Sequence, residues 1–257
     1  LRIKSNLIMM DIPNFIFEKC GKANVVFTSR VGGFSKSPYD SLNVAKHVGD
    51  EIDLVERNRK TIFSSLEKFD LPQPEEWIFL NQTHCDQIFQ VDEQTYDQLN
   101  PPTADGSITT LSEIPLVVMV ADCGPLIISC GNITATVHAS VKTVSLDIIG
   151  KTINLIRNLD QHSEIYALLG PCIHSGNYEY AQDDLDNYSK LLGSHVVSKT
   201  NDSKPAFNLP EAIKYECEKF KVNFRDINID TFSNNNYFSY RRDAKTGRQC
   251  VISWMSK

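Results

Sequence analysis

An α+β fold, with mixed β-sheets covered by helices on the outside, is predicted by three features of the 257-residue sequence. Strand-like and helix-like segments are interleaved without the strict alternation of a doubly wound parallel sheet. The most apolar region reads as three successive buried strands, at Leu116 to Val120, Leu126 to Cys130 and Thr134 to His138. Amphipathic helical spacing recurs on both sides of that trio and supplies a covering layer. The chain has no internal repeat, low-complexity tract or long linker, so residues 1–257 are expected to form a single domain. Gln94 to Asp105, interrupted by Asn100-Pro101-Pro102, is expected to be a surface loop within it.

The elements follow in order. Val25 to Arg30 reads as a strand ending in the turn at Gly32-Gly33, and Asp50 to Phe69 as a helix. In that helix Ile52, Val55, Ile62, Phe63, Leu66 and Phe69 recur at helical spacing. Short strands are expected at Trp77 to Asn81 and Gln87 to Val91. After the apolar trio comes a helix from Val144 to Arg157, with Ile148, Ile149, Ile153 and Ile156 on one side. Glu164 to Leu169 is a further strand running into Gly170-Pro171. Asp183 to Leu192 and Pro210 to Phe220 are expected to be helical, the second capped by Asn208 with Pro210 in its first turn. Strands at Asp226 to Asp230, Tyr237 to Tyr240 and Gln249 to Trp254 complete the reading.

The formal net charge of -6 argues against a nucleic-acid binder, which usually carries a basic face. No stretch approaches the roughly 18 apolar residues of a membrane span. Arg2 and Lys4 precede the apolar Leu7-Ile8-Met9-Met10, but Asp11 and Pro13 cut that segment short and no small-residue cleavage site follows. A cytoplasmic location is therefore expected. Seven scattered cysteines without a C-x-x-C pair fit reduced thiols, with Cys20, Cys130, Cys217 and Cys250 in apolar or amphipathic surroundings.

Phosphate-loop, G-x-G-x-x-G, H-E-x-x-H and G-x-S-x-G patterns are all absent. The informative residues are polar ones at the ends of apolar strands. His84 lies just past the strand at Trp77, Cys123 follows Leu116 to Val120, and His138 closes the last strand of the trio. One thiolate and two imidazoles suit zinc, which leaves a fourth position open in catalytic sites. The spacing is not diagnostic, and on spacing alone unrelated buried polar residues are the favoured reading.

Motif order adds a second line. The chain carries Thr28-Ser29-Arg30-Val31-Gly32-Gly33-Phe34-Ser35, Ser41-Leu42-Asn43, Val48-Gly49-Asp50, Asn81-Gln82-Thr83-His84 and Ala104-Asp105. It continues with Ala121-Asp122-Cys123-Gly124-Pro125, Val137-His138-Ala139 and Leu169-Gly170-Pro171-Cys172-Ile173. Phe238-Ser239-Tyr240-Arg241-Arg242-Asp243, Thr246-Gly247-Arg248 and Trp254 close the series. In this order they resemble the laccase-domain family, also described as multicopper polyphenol oxidase, which includes the bacterial peptidoglycan-editing factor. The resemblance implies that His84, Cys123 and His138 bind Zn2+ at an active site for purine nucleosides. It implies phosphorolysis with phosphate, adenosine deamination, or both, and an α+β arrangement of sheets covered by helices.

Arg30, Lys142 and Arg241 are candidate phosphate contacts, Asn43 and Gln82 candidate ribose or base contacts. Asp122 and Glu179 are candidate general acids or bases. The chain departs from the family pattern at Cys85, at Ser140-Val141-Lys142-Thr143, and at Asp230 or Thr231, where the family carries a cysteine. Lys142 keeps the charge of the family's arginine but loses its planar fork. The metal set is thus intact while the substrate pocket is altered. A metal-free cysteine hydrolase with His138 as base, and a weakly active or non-catalytic cell-wall quality-control protein, are the alternatives. A multicopper oxidase is disfavoured, because six histidines leave four beyond a blue-copper set of two, too few for a trinuclear cluster.

Overall fold

The computed structural model describes residues 14–69, 71–92 and 100–257. The segment weighed as a signal peptide, and residues 94–99 of the loop expected at Gln94 to Asp105, lie outside the described residues.

Four layers stack in the order helix, sheet, sheet, helix. The inner two are β-sheets, as expected for apolar strands that are buried on both faces. The smaller sheet has the order β1-β2-β12-β5 and is antiparallel throughout. It comprises β1 (Ile16–Cys20), β2 (Ala23–Phe27), β5 (Leu116–Val120) and β12 (Gln249–Trp254). The larger has the order β11-β8-β6-β7-β4-β3, with parallel pairs at β11-β8 and β3-β4. Its strands are β3 (Ile88–Val91), β4 (Gly106–Thr109), β6 (Gly124–Cys130), β7 (Ile133–Ala139), β8 (Ile165–Leu169) and β11 (Asn223–Asp226). Between the sheets, Val25, Phe27, Val118, Val120 and Val251 meet Ile127 and Leu168. The buried Ser253 hydroxyl on β12 bonds Thr134 and Thr136 on β7, at 3.1 and 2.7 Å, and so makes a polar tie across the seam.

The outer face of the small sheet is covered by α1 (Ile52–Ser65), whose Ile62 packs with Trp77, Phe79 and Trp254. The outer face of the large sheet carries α2 (Val141–Ser145), α3 (Ile148–Leu159), α4 (Gln182–Leu192) and α5 (Leu209–Lys219). The short hairpin β9 (Val197–Lys199) and β10 (Pro205–Phe207) lies beside α4, and α6 (Tyr240–Asp243) precedes β12. The expected cap of α5 is present: the Asn208 side chain accepts the Glu211 N–H at 3.3 Å.

Several expected elements differ. The helix expected at Val144 to Arg157 is two helices, broken where Asp147 takes a φ of 63°. Trp77 to Asn81 forms no strand, only isolated bridges of Ile78 to Leu116 and Asn81 to Thr103. The strand placed at Asp226 to Asp230 lies earlier, because Asp226 accepts the Asn228 N–H and Asn228 turns out of the sheet at φ 60°. Tyr237 to Tyr240 is a turn into α6. There the Gln249 side chain satisfies both the N–H and the C=O of Phe238, and Ser239 caps Arg242. All seven cysteines are free, as expected.

Two glycines of the quoted motifs are places of close approach. A Cβ on Gly33 would lie 2.2 Å from the Ser41 carbonyl oxygen, and one on Gly170 would lie 2.0 Å from the Phe27 ring. Phe27 is buried between the sheets and has nowhere to retreat. Gly170→Ala is therefore expected to cost about 1–3 kcal/mol by overpacking. Urea unfolding should show a lowered midpoint with an unchanged slope.

Candidate metal centre

The chain passes from the small sheet to the large one between β5 and β6, and the site is built at that crossing. Cys123 stands immediately before β6, and the antiparallel pairing of Pro125 with His138 sets the head of β6 beside the end of β7. His84 comes from the connection that leads into β3. Its segment is tied to β5 through Gln82, whose amide donates to the Met119 carbonyl and accepts the Met119 N–H, both at 2.9 Å. A side chain thus replaces a strand partner at the β5 edge, which is why that segment is not itself a strand.

The ligand atoms of His84, Cys123 and His138 lie within 4.8 Å of one another. Among the described residues no other group of three His, Cys, Asp or Glu side chains is so placed. His138 is buried and His84 is exposed on the open side, with the two rings edge to face at 4.8 Å. Asp105, wholly buried, organises both. Its Oδ1 lies 2.6 Å from His138 Nδ1, which leaves Nε2 for a metal. Its Oδ2 accepts the N–H groups of Thr83 and Cys85, at 3.0 and 2.7 Å. Those bonds brace His84, whose φ of 58° lies in the left-handed region. The Cys85 thiol also reaches Asp105, so Cys85 belongs to this support and not to the ligand set.

The charges are mutually adjusted. Burial opposes ionisation of Cys123, but the adjoining His138 and His84 rings outweigh it and hold the thiol well below the ordinary range. Burial likewise opposes charge on His138, and Cys123 and Asp105 together override it upward. Asp105 is held down to about 2 against the pull of burial by its bonds to His138 and Cys85. A depressed thiol and two imidazoles fit a soft, tetrahedral divalent ion.

A cavity of about 350 Å³ opens above the triad, lined by His47, Gln82, Met119, Val120, Ala121, Tyr240 and Arg248 besides His84, Cys123 and His138. Of the expected substrate contacts, Gln82 lines it. Arg30 does not: its guanidinium is engaged by Asp40 and Asp243 and lies over the Phe238 ring. Asn43 is fully buried and bonds Ala45, Asp50 and the Arg248 N–H. Lys142 is exposed on α2, outside the lining. Arg241 donates to the Glu179 carbonyl and stacks on Tyr178.

The expected acid–base carboxylates are also accounted for elsewhere. Asp122 accepts from the Thr231 hydroxyl and the Arg241 N–H, bracing its own φ of 89°, while exposed Glu179 pairs with Lys204. Sequence reasoning gave no role to His47, Asp105, Tyr240 or Arg248. All except His47 stand inside motifs that were visible, but nothing in those motifs distinguishes a cavity-facing side chain from a loop-bracing one.

Fold and site together define a layered α+β protein with a His-Cys-His centre able to hold a metal ion at the foot of a cavity. The model of the family described as multi-copper polyphenol oxidoreductase laccase matches residues 24–256, and the chain belongs to that family. It is 31% identical over 237 residues to a purine nucleoside phosphorylase of Corynebacterium glutamicum, covering 90% of this chain and 94% of that protein. A purine nucleoside phosphorylase of Haemophilus influenzae is 30% identical over 244 residues, covering 88% and 92%. The fold matches the crystal structure of the hypothetical protein YfiH of Bacillus licheniformis with a TM-score of 0.84 at 24% identity, over 95% of this chain and 97% of that one.

Two outcomes are expected. Asp105→Asn presents an amide N–H to His138 Nδ1 and forces the tautomer whose Nε2 carries the proton. Metal affinity, read by chelator competition, should fall roughly 10- to 100-fold with the fold retained. In metal-free protein Cys123 should alkylate readily at neutral pH, since its thiolate is favoured. His138→Gln removes the larger favouring charge and leaves only His84 to oppose burial, so the alkylation midpoint should move to higher pH.

Proposed function

We propose that the chain is a zinc-dependent purine nucleoside phosphorylase acting at the His84, Cys123 and His138 centre. The observation that carries the reading is the convergence of these three ligand atoms within 4.8 Å at the base of a cavity sized for a small molecule. The names of the relatives support the substrate class. Zinc held there would supply a Lewis acid that polarises a substrate oxygen or lowers the pKa of a nearby water.

The chain's own residues do the remainder. Asp105 keeps His138 in the tautomer that faces the site, and the His138 charge favours the Cys123 thiolate before a metal arrives. Met119, Val120 and Ala121 form the apolar wall against which a flat base can lie, with Tyr240 and its ring at the mouth. In phosphorolysis a phosphate oxygen bonds to C1′ of the ribose as the C1′–N9 bond breaks. The electron pair leaves with the purine, which takes up a proton. The His47 ring and the Tyr240 hydroxyl are lining groups able to donate hydrogen bonds, and Gln82 is locked to Met119 and shapes the wall.

Copper is less well supported, although two imidazoles and a thiolate also form a type-1 copper set. Four further histidines do not supply a trinuclear cluster. A second reading has its own observation: Cys123, His138 and Asp105 lie in the order nucleophile, base and orienting carboxylate. In that case the chain is a metal-free hydrolase.

Elemental analysis of unchelated protein, with adenosine and inosine assayed with and without phosphate, separates these readings. About one zinc per chain, lost in Cys123→Ala, with phosphate-dependent release of free base abolished by chelator, is expected. Conversion of adenosine to inosine without phosphate would show deamination instead. Copper in the site would overturn the zinc assignment, and turnover that survives chelation would favour the cysteine hydrolase.

A further inference from the structure

We infer that Arg248, with His47 beside it, forms an oxyanion subsite in the cavity that takes a tetrahedral phosphate group. The cavity lining contains one side chain of the Lys or Arg type, Arg248, and no carboxylate. Three other arginines pair with carboxylates, Arg30 with Asp40 and Asp243, Arg225 with Glu18 and Arg242 with Asp243, and Arg241 is spent on the Glu179 carbonyl and the Tyr178 ring. Arg248 is half-buried and has no carboxylate partner among the described residues. Its positive charge therefore sits in a partly desolvated place, offset only by the Tyr240 ring 5.9 Å away and by the fields of Cys123 and Asp122, with no ion pair, and an anion joining it would relieve that cost.

The side chain is also prepared for such a partner. Nη1 donates to the carbonyls of Thr246 and Gly247, at 3.0 and 2.9 Å, which fixes the plane of the guanidinium. Nε and Nη2 have no partner among the described residues and remain for a ligand, in the forked geometry that suits phosphate. The main chain is held from behind: buried Asn43 accepts the Arg248 N–H at 2.9 Å, and Asn43 is in turn fixed by Asp50 and Ala45. Asn43 is thus a positioning residue for Arg248. His47 lines the same cavity, within the field of both Arg248 and Arg59. Burial and these two guanidiniums lower its pKa, so it offers an N–H without a competing charge.

A divalent ion at the triad would add positive charge to the same cavity, so an anion beside Arg248 would be held more tightly with the metal in place. Assigning the subsite to the phosphate that attacks C1′ rests on the phosphorolysis reading above. The oxyanion site itself does not.

The test is calorimetric titration of inorganic phosphate into zinc-loaded and metal-stripped protein. Wild type, Arg248→Met, Arg248→Lys, His47→Gln and, as a distant control, Lys190→Met would be compared. Saturable binding in both forms of the wild type is expected, tighter in the loaded one. Arg248→Met should weaken it roughly 10- to 100-fold, with Arg248→Lys recovering part, His47→Gln weakening it less and Lys190→Met leaving it unchanged. Zinc content and the melting midpoint check that each variant is folded, and His47→Gln carries the test if Arg248→Met fails that check. Adenosine 5′-monophosphate is titrated in parallel. Binding tighter than phosphate that is also lost in Arg248→Met identifies a phosphorylated ligand, whereas phosphate binding without it identifies free phosphate; either supports the subsite. No phosphate binding by wild type, or equal binding by a folded Arg248→Met, overturns it. Phosphate binding without phosphorolysis would instead overturn the phosphorylase reading and leave the subsite standing.

Discussion

The carboxylate of Asp105 is the point on which the site turns. It is wholly buried, and one oxygen is spent on the His138 ring while the other is spent on the two N–H groups that flank His84. A buried charge with such partners is tolerable; with one removed it becomes a liability of about 3–5 kcal/mol. The same bonds serve geometry, since they orient one imidazole and brace the left-handed backbone under the other. Two of the three residues able to hold a metal, from segments far apart in sequence, thus share one anchor, and the pairing of β6 with β7 brings the third, Cys123, beside them.

The layering explains why this anchor can be rigid. The cavity lies where the chain crosses from one sheet to the other, so its floor belongs to both. The seam between the sheets is closed by aliphatic packing around Ile127 and by the Ser253 hydroxyl bridging Thr134 and Thr136. Polar loops around the mouth are wired inward in the same manner, as Asp122 does with Thr231 and Arg241, and Asn43 with Arg248. Residues that look reactive in the sequence are in several cases the fasteners of this wiring.

That distinction sets how much was legible beforehand. The buried strands Leu116 to Val120, Leu126 to Cys130 and Thr134 to His138 were readable because apolar runs of that length have few other uses, and the layered α+β class followed from them. Helical spacing gave α1, α4 and α5 within a few residues, but no periodicity warns of the left-handed Asp147 that splits α2 from α3. The hairpin partner β1 and the interior strand β4, between β7 and β3, are short and mixed in polarity, and tertiary pairing alone defines them. At the site the ligand residues stood out as polar groups at apolar strand ends. Their neighbours did not: Arg30 and Arg248 are chemically alike, and only the positions of Asp40, Asp243 and the cavity tell a paired guanidinium from an unpaired one.

The sheet order carries a consequence for biosynthesis. β12 lies between β2 and β5, although more than a hundred residues separate it from either in sequence. While a ribosome is still making the chain, the segments bearing His84, Cys123 and His138 have emerged, yet β5 still has no β12 to pair with. During that interval an apolar edge stays open to any other strand, and the closing contacts are of the long-range kind that form slowly. Chaperone demand is thereby deferred to one late event, the insertion of a single central strand.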